Sequence, residues 1–299
     1  MPTSGKLKLD QIVSKFIVPP NEKISLKKSF HTAIKLDARF GKRELKESLD
    51  QGILALSSEQ DKLYAQKTYA LLVVLQAMDA AGKDSTIKHV MSGVNPQGCQ
   101  AYSFKAPTSE DLAHDYLWRC SKVLPERGCI GIFNRSYYEE VLITRVHPDI
   151  MKHEMLPPDL TDKNIWKRRF EEINNYEKYL VNNGIVILKF FLNVSKEEQK
   201  RRFLARIDMP EKNWKFSADD ARDRQRWDDY IQAYEDCFSH TSTDWAPWHV
   251  IPADYKPFTR LAVAHIIHTT LRKLKLQYPS LSEEQKRDLQ KAKAILESE

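Results

Sequence analysis

Leu71-Leu72-Val73-Val74-Leu75-Gln76-Ala77-Met78-Asp79-Ala80-Ala81-Gly82-Lys83-Asp84-Ser85-Thr86 decides the fold. A short apolar run bounded by turn residues reads as a buried strand, and the hydroxyl-bearing segment after Gly82-Lys83 opens a helix. Strand, tight turn, lysine and helix start are the parts of a phosphate cradle. Backbone N–H groups and the helix N-terminus hold the anion, and Lys83 adds a point charge. Met78, Ala80, Ala81, Gly82, Asp84, Ser85 and Thr86 form the cradle, with Lys88 one turn further on. Asp79 is the unusual member, because a carboxylate facing phosphates repels them. It makes sense if Mg²⁺ lies between, or if the acid orients the attacking group.

The loop departs from G-x-x-x-x-G-K-[ST] at two places. Ala77 stands at the first glycine, and Asp84 stands where the magnesium-binding hydroxyl follows lysine. The bland alternative is a chance Gly-Lys in a strand-to-helix turn; the flanking strand and helix favour a phosphate site.

Outward from this stretch, strands alternate with helices. Strands are expected at Cys99–Lys105, Ile130–Phe133, Ile185–Phe191 and Trp248–Ile251, with helices over Ile165–Val181 and Phe258–Leu276. Pro107 to Asp111 carries a capping signature and is read as opening a helix that runs through Arg119. This alternation implies α/β architecture with a doubly wound parallel sheet and ligands at the carboxyl ends of its strands. Residues 1–65 read as a mostly helical preface, on which Lys42 and Arg43 are weaker candidates for anion contact. Residues 282–299 read as a charged, solvent-facing helix, and 1–299 as a single domain.

Two further clusters carry charge. The third strand runs into Asn134-Arg135-Ser136-Tyr137-Tyr138-Glu139-Glu140. Asn134 stands where P-loop enzymes place a metal-holding acid, and reaches a metal through its bound water. Glu139 and Glu140, one helical turn further, can replace the missing carboxylate, and Arg135 suits bidentate phosphate binding. Beyond the fourth strand, Ser195 to Glu198 reads as a capping box. The following helix carries Arg202 and Arg206 and is stopped by Pro210; Lys212 and Lys215 follow, and Ser217 caps a second helix. Residues 195–227 thus form a helical hairpin with the shape of a lid. The competing reading is a surface hairpin with ordinary ion pairs.

The 299 residues carry 47 Lys+Arg against 41 Asp+Glu, a net charge of +6. That mild surplus suits a local channel for an anionic substrate, and no basic stripe interleaved with stacking aromatics marks a nucleic-acid binder. Four cysteines without metal spacing favour a reduced, cytoplasmic location. No secretory signal or membrane span is expected.

Together, Met78-Asp79-Ala80-Ala81-Gly82-Lys83-Asp84, Phe133-Asn134-Arg135-Ser136-Tyr137-Tyr138-Glu139, Arg202-Phe203-Leu204-Ala205-Arg206, Lys212-Asn213-Trp214-Lys215-Phe216 and Trp245-Ala246-Pro247-Trp248 resemble the polyphosphate kinase 2 family over roughly residues 30 to 275. The resemblance implies a P-loop kinase three-layer sandwich, similar to thymidylate kinase, with a central parallel five-stranded sheet and a helical lid. It implies reversible transfer of a terminal phosphate between inorganic polyphosphate and AMP or ADP, with GMP and GDP as further acceptors, by a homodimer or homotetramer. Mg²⁺ is the implied cofactor, with Mn²⁺ as alternative, held by Asp79, Asn134 and Glu139. Asp79, Lys83 and Arg135 are the expected catalytic groups. The run Ser92 to Gly98, the run His114 to Arg119, and Asn134 resemble the subgroup that accepts both AMP and ADP. Ala77 and Ser85 replace glycines usual in the family. An ATP-dependent small-molecule kinase and a non-catalytic nucleotide-binding regulator are the competing classes.

Overall fold

The computed structural model describes residues 9–36, 40–214 and 217–299. After three short helical turns, helix α1 runs Lys42–Gln66 and delivers the chain to strand β1, Ala70–Gln76, every residue of which is buried. Helix α2 (Lys83–Val90) follows, then β2 (Cys99–Ser103), β3 (Ile130–Asn134), helix α3 (Ile165–Asn182) and β4 (Ile185–Asn193). Helix α4 (Lys196–Ile207), helix α5 (Trp227–Thr241), β5 (Trp248–Pro252), helix α6 (Lys256–Lys273) and helix α7 (Glu283–Glu297) complete the chain.

The five strands form one parallel sheet in the order β2-β3-β1-β4-β5. β1 lies at the centre, and its apolar run reflects burial on both faces. Helices α1 and α6 pack on each other, with α2 against α6, while α3 and α5 pack together with α3 against β4. The result is the expected P-loop kinase sandwich. Register places the site: Leu75 pairs with Asn134 across β1 and β3, so the loop after β1 and the turn after β3 leave the sheet side by side.

Three local expectations are corrected. The helix expected from Pro107 through Arg119 is two short turns, Ser109–Leu112 and Trp118–Ser121. Thr108 and Asp111 form the capping box, but Asp115 Oδ1 accepts from Leu117 N at 2.9 Å and restarts the chain, a local bond that competes with helix. The box at Ser195 is half-made: Ser195 Oγ accepts from Glu198 N, while Asp254 Oδ1 takes the Ser195 N–H at 2.7 Å. Glu198 is thereby released to pair with Arg201 and Arg202. In the hairpin, the helix after Ser217 ends at Asp223, and residues 224–226 form a 3₁₀ turn leading into α5.

Helix α7 is capped by a Ser282–Gln285 box and exposed along its length. Among the described residues, no helix is long and apolar enough to cross a membrane, and all four cysteines are free.

Candidate active site

Two backbone positions in the loop after β1 have positive φ, Ala80 at 60° and Gly82 at 110°. Gly82 caps α2 from the left-handed region, a conformation glycine adopts without a Cβ penalty. Ala77, at the position of the usual first glycine, is outside that region, so alanine fits without strain. Ser85 lies inside α2, where its hydroxyl accepts from Arg260 Nη2 at 2.8 Å. Thr86 is buried, and Lys88 is exposed on the same helix.

Lys83 folds back on the loop and donates from Nζ to Ala77 O at 2.9 Å. Burial holds its amine below the ordinary lysine range; Asp79 opposes that shift and Arg135 adds to it. Arg135 leaves β3 at φ 64°, with its N–H on Leu75 O at 3.0 Å and its Nη2 3.0 Å from Asp79 Oδ1. Burial works against the charge of Arg135, while Glu139 and Asp79 reinforce it. Glu139 completes the group: burial raises its carboxyl above the ordinary range, against the pull of Arg135 and Lys83. Two cations and two acids therefore converge where β1 and β3 end.

Asn134 and Asp84 are partners. Asn134 Nδ2 donates to Asp84 Oδ1 at 2.6 Å and to Ser103 Oγ at 3.2 Å. The acid usual at the end of the neighbouring strand is here an amide, and the hydroxyl usual after lysine is an acid, so the negative charge has moved across this hydrogen bond. Asn134 Oδ1 and Gln76 Oε1 are buried with no hydrogen-bond partner among the described residues. Orphaned buried oxygens call for a water or a cation. No group of three or more His, Cys, Asp or Glu side chains placed to hold a metal ion occurs among the described residues. Two carboxylates and neutral oxygens suit a hard divalent ion that takes its remaining ligands from phosphates and water.

Arg202 comes to the loop, but its guanidinium is committed to protein groups. Nη1 donates to Ala80 O and Ala81 O at 3.1 and 2.6 Å, Nη2 to Ala253 O and Asp254 O at 2.6 and 3.3 Å, and Nε to Glu198 at 2.7 Å. It staples the loop to the end of β5. Gln199, not singled out from sequence, adds a bond from Nε2 to Asp79 O at 3.0 Å and is braced by Arg224. Arg206 lies over the Phe203 ring at 5.5 Å, and Lys212 Nζ reaches Met209 Sδ at 2.6 Å; both sit along the hairpin. Lys215 lies outside the described residues. Arg43 is exposed at the start of α1 between Glu44 and Glu47, and Lys42 is exposed beside it.

A cleft of about 710 Å³ adjoins the loop group, and Arg135 and Glu139 line it. Phe104, Leu117 and Ile143 give it apolar walls, and Arg119, Arg168 and Arg169 share the lining with acids that include Glu140, Glu154 and Glu172. Glu140 sits between Arg119 at 3.5 Å and Arg169 at 3.7 Å. Burial and then Glu154 push its carboxyl up to about 7, against both arginines. Glu140 belongs to the charged cluster after the third strand and Arg119 to the stretch that suggested a nucleotide-selecting subgroup, but Glu154, Arg168 and Arg169 carried no motif in the sequence.

Residues 39–279 match the family Polyphosphate kinase 2 (PPK2). The chain is 50% identical over 276 residues to an ADP-polyphosphate phosphotransferase of Rhodopseudomonas palustris, covering 92% of this chain and 94% of that one. It is 45% identical to an AMP/ADP-polyphosphate phosphotransferase of Meiothermus ruber, covering 80% and 85%. A crystal structure of Polyphosphate Kinase 2 from Arthrobacter aurescens TC1 superposes with a TM-score of 0.77 at 37% identity, covering 89% and 96%.

Proposed function

The chain belongs to the polyphosphate kinase 2 family, and we propose that it moves the terminal phosphate of inorganic polyphosphate reversibly onto AMP and ADP, with Mg²⁺ as the divalent ion. The observation that carries this reading is the sharing of Arg135 and Glu139 between the phosphate loop group and an apolar, arginine-lined cleft. A cleft of that lining suits a nucleotide, whose base takes the apolar walls and whose phosphates take the cations.

In the reaction, a terminal phosphate oxygen of the acceptor attacks the end phosphorus of the chain. A new P–O bond forms, the bridging P–O bond breaks, and its electron pair leaves on the shortened polymer. The transition state is loose and highly charged, so positioning and cation clamping supply most of the catalysis. Lys83, with the loop amides, holds the donor end, and Arg135 neutralises the phosphoryl in flight. Asp79 aligns Arg135 and orients the acceptor oxygen. A bound divalent ion would offset phosphate charge, held by Asp79 and Glu139 with Asn134 Oδ1. Residues 195–227 act as a lid within a single domain, with Arg206, Lys212 and Lys215 closing on the polymer; Arg202 serves that lid by fixing the loop beneath it.

Incubating the protein with polyphosphate and either AMP or ADP, without ATP, and separating the nucleotides tests the reading. ADP and ATP are expected from AMP, ATP from ADP, and neither product with excess EDTA. Turnover of ADP alone would restrict the acceptor; turnover of neither would refute the donor assignment.

A further inference from the structure

Beneath the turn that carries Glu139 lies a buried ion pair set apart from the cleft lining. Glu177 on α3 and Lys189 on β4 are fully buried, 2.6 Å apart between Oε2 and Nζ. Lys189 uses all three of its protons, on Glu177 Oε2, on Tyr138 Oη at 2.9 Å and on Thr241 O at 2.7 Å. The other oxygen of Glu177 accepts from both Tyr137 Oη and Tyr138 Oη, each at 2.8 Å. None of the four side chains lines the cleft.

The tyrosines belong to the 3₁₀ turn Tyr137–Val141, which begins two residues after Arg135. Arg135 is a non-glycine residue at φ 64°, a conformation that persists only where the surroundings over-determine it. On one side the β1 ladder holds it through Leu75 O. On the other, Ser136 Oγ accepts from Tyr138 N and Gln76 Nε2, each at 3.2 Å, and the tyrosine hydroxyls end on Glu177. Two rings fixed on one carboxylate oxygen leave the next two residues in the turn with separate partners. Glu139 interacts with Lys83 and Arg135, and Glu140 with Arg119 and Arg169.

We propose that Glu177 and Lys189 are positioning residues for phosphoryl transfer: through Tyr137 and Tyr138 they lock the turn that aims Arg135 and Glu139 at the reacting phosphate. The inference rests on the phosphotransferase reading above. A buried ion pair is not needed for stability, since a well-packed apolar pair of similar volume often serves as well. Two charges held in the sheet core, with every proton of Lys189 used, instead provide direction, which a dispersive contact lacks.

The test compares two double variants with wild type in steady-state transfer from polyphosphate to ADP. Glu177→Gln/Lys189→Met keeps an oxygen that accepts from the tyrosines, and Glu177→Leu/Lys189→Met removes it. The amide pair keeps the acceptor for the tyrosines but loses both charges and the Lys189 bond to Tyr138 Oη, so it should lose about 10-fold in kcat, less than the apolar pair. The apolar pair should lose roughly 30-fold in kcat with KM for both substrates within about 3-fold, the signature of an interaction made in the transition state. Tyr137→Phe/Tyr138→Phe, which leaves the ion pair in place, should lose at least ~10-fold in kcat and carries the test if the apolar pair does not fold. Wild-type kcat in the folded tyrosine variant, or in a folded apolar pair, would overturn the inference while leaving the phosphotransferase reading intact. Losses that only track the folded fraction would overturn it equally. A wild-type protein without transfer would remove that reading and this inference with it.

Discussion

The guanidinium of Arg135 lies 3.0 Å from the carboxylate of Asp79, joining the turn after β3 to the loop after β1 across the mouth of the site. Both side chains are partly exposed, so the bridge adds little stability. Its use lies in orientation, because it presents a fixed cation beside Lys83 where phosphates enter. Asp79→Asn, Lys83→Ala and Arg135→Ala should each lower turnover by at least ~100-fold with unchanged circular dichroism, as expected for lost electrostatic stabilisation. Near-normal rates in all three would move the chemistry elsewhere.

Arg202 should behave differently from these three. With four main-chain carbonyls and Glu198 on one guanidinium that is only 6% exposed, Arg202→Lys leaves buried acceptors unmet. Urea unfolding should show a loss of about 2–4 kcal/mol, in the range for orphaned buried groups and broken charged hydrogen bonds. A variant as stable as wild type would mean that the staple is dispensable.

Gly82→Ala isolates backbone geometry from space. A Cβ there would come no closer than 3.8 Å, to Arg202 Nη1, yet φ is 110°. The strain of about 1–3 kcal/mol should reshape the turn and raise KM for polyphosphate by roughly tenfold. An unchanged KM would show that the loop tolerates a second backbone form.

Glu140 gives a pH dependence with a definite sign. Burial raises its carboxyl from 4.5 to about 7 in the folded protein, so the folded state binds more protons than the unfolded state between those values. Stability from this group is present below pH 4.5 and is lost as pH rises through about 7. Glu140→Gln cannot ionise, so its stability should improve relative to wild type between pH 5 and 8 in parallel urea titrations, the window of about these two values. A constant difference across that window would contradict the shift.

The sheet and the loop were legible because their chemistry is local. An apolar run and a Gly-Lys turn report strand, cradle and helix start within sixteen residues, Leu71 to Thr86. Asp79, Lys83, Arg135 and Glu139 were selected as charges at strand ends, and parallel register alone brings them together. Arg202 was visible as a basic residue on a hairpin, but its partners Ala80, Ala81 and Ala253 are main-chain groups, which carry no side-chain signature. Gln199, Glu177 and Lys189 were illegible for a related reason. A lysine in an apolar strand and a glutamate in a polar helix look unremarkable until the fold opposes them. The break at Asp115 turned on one side-chain bond that outweighs helix continuation.

The most direct measurement is ³¹P NMR of the purified protein with polyphosphate, AMP and Mg²⁺, no ATP added, beside an identical sample of Asp79→Asn. The wild-type spectrum should gain the β-phosphate of ADP and then the γ-phosphate of ATP as chain-end signals shift, while the variant stays flat. Unchanged AMP in the wild-type tube, with ADP equally inert, would contradict the central claim that this site transfers phosphate from the polymer to a nucleotide.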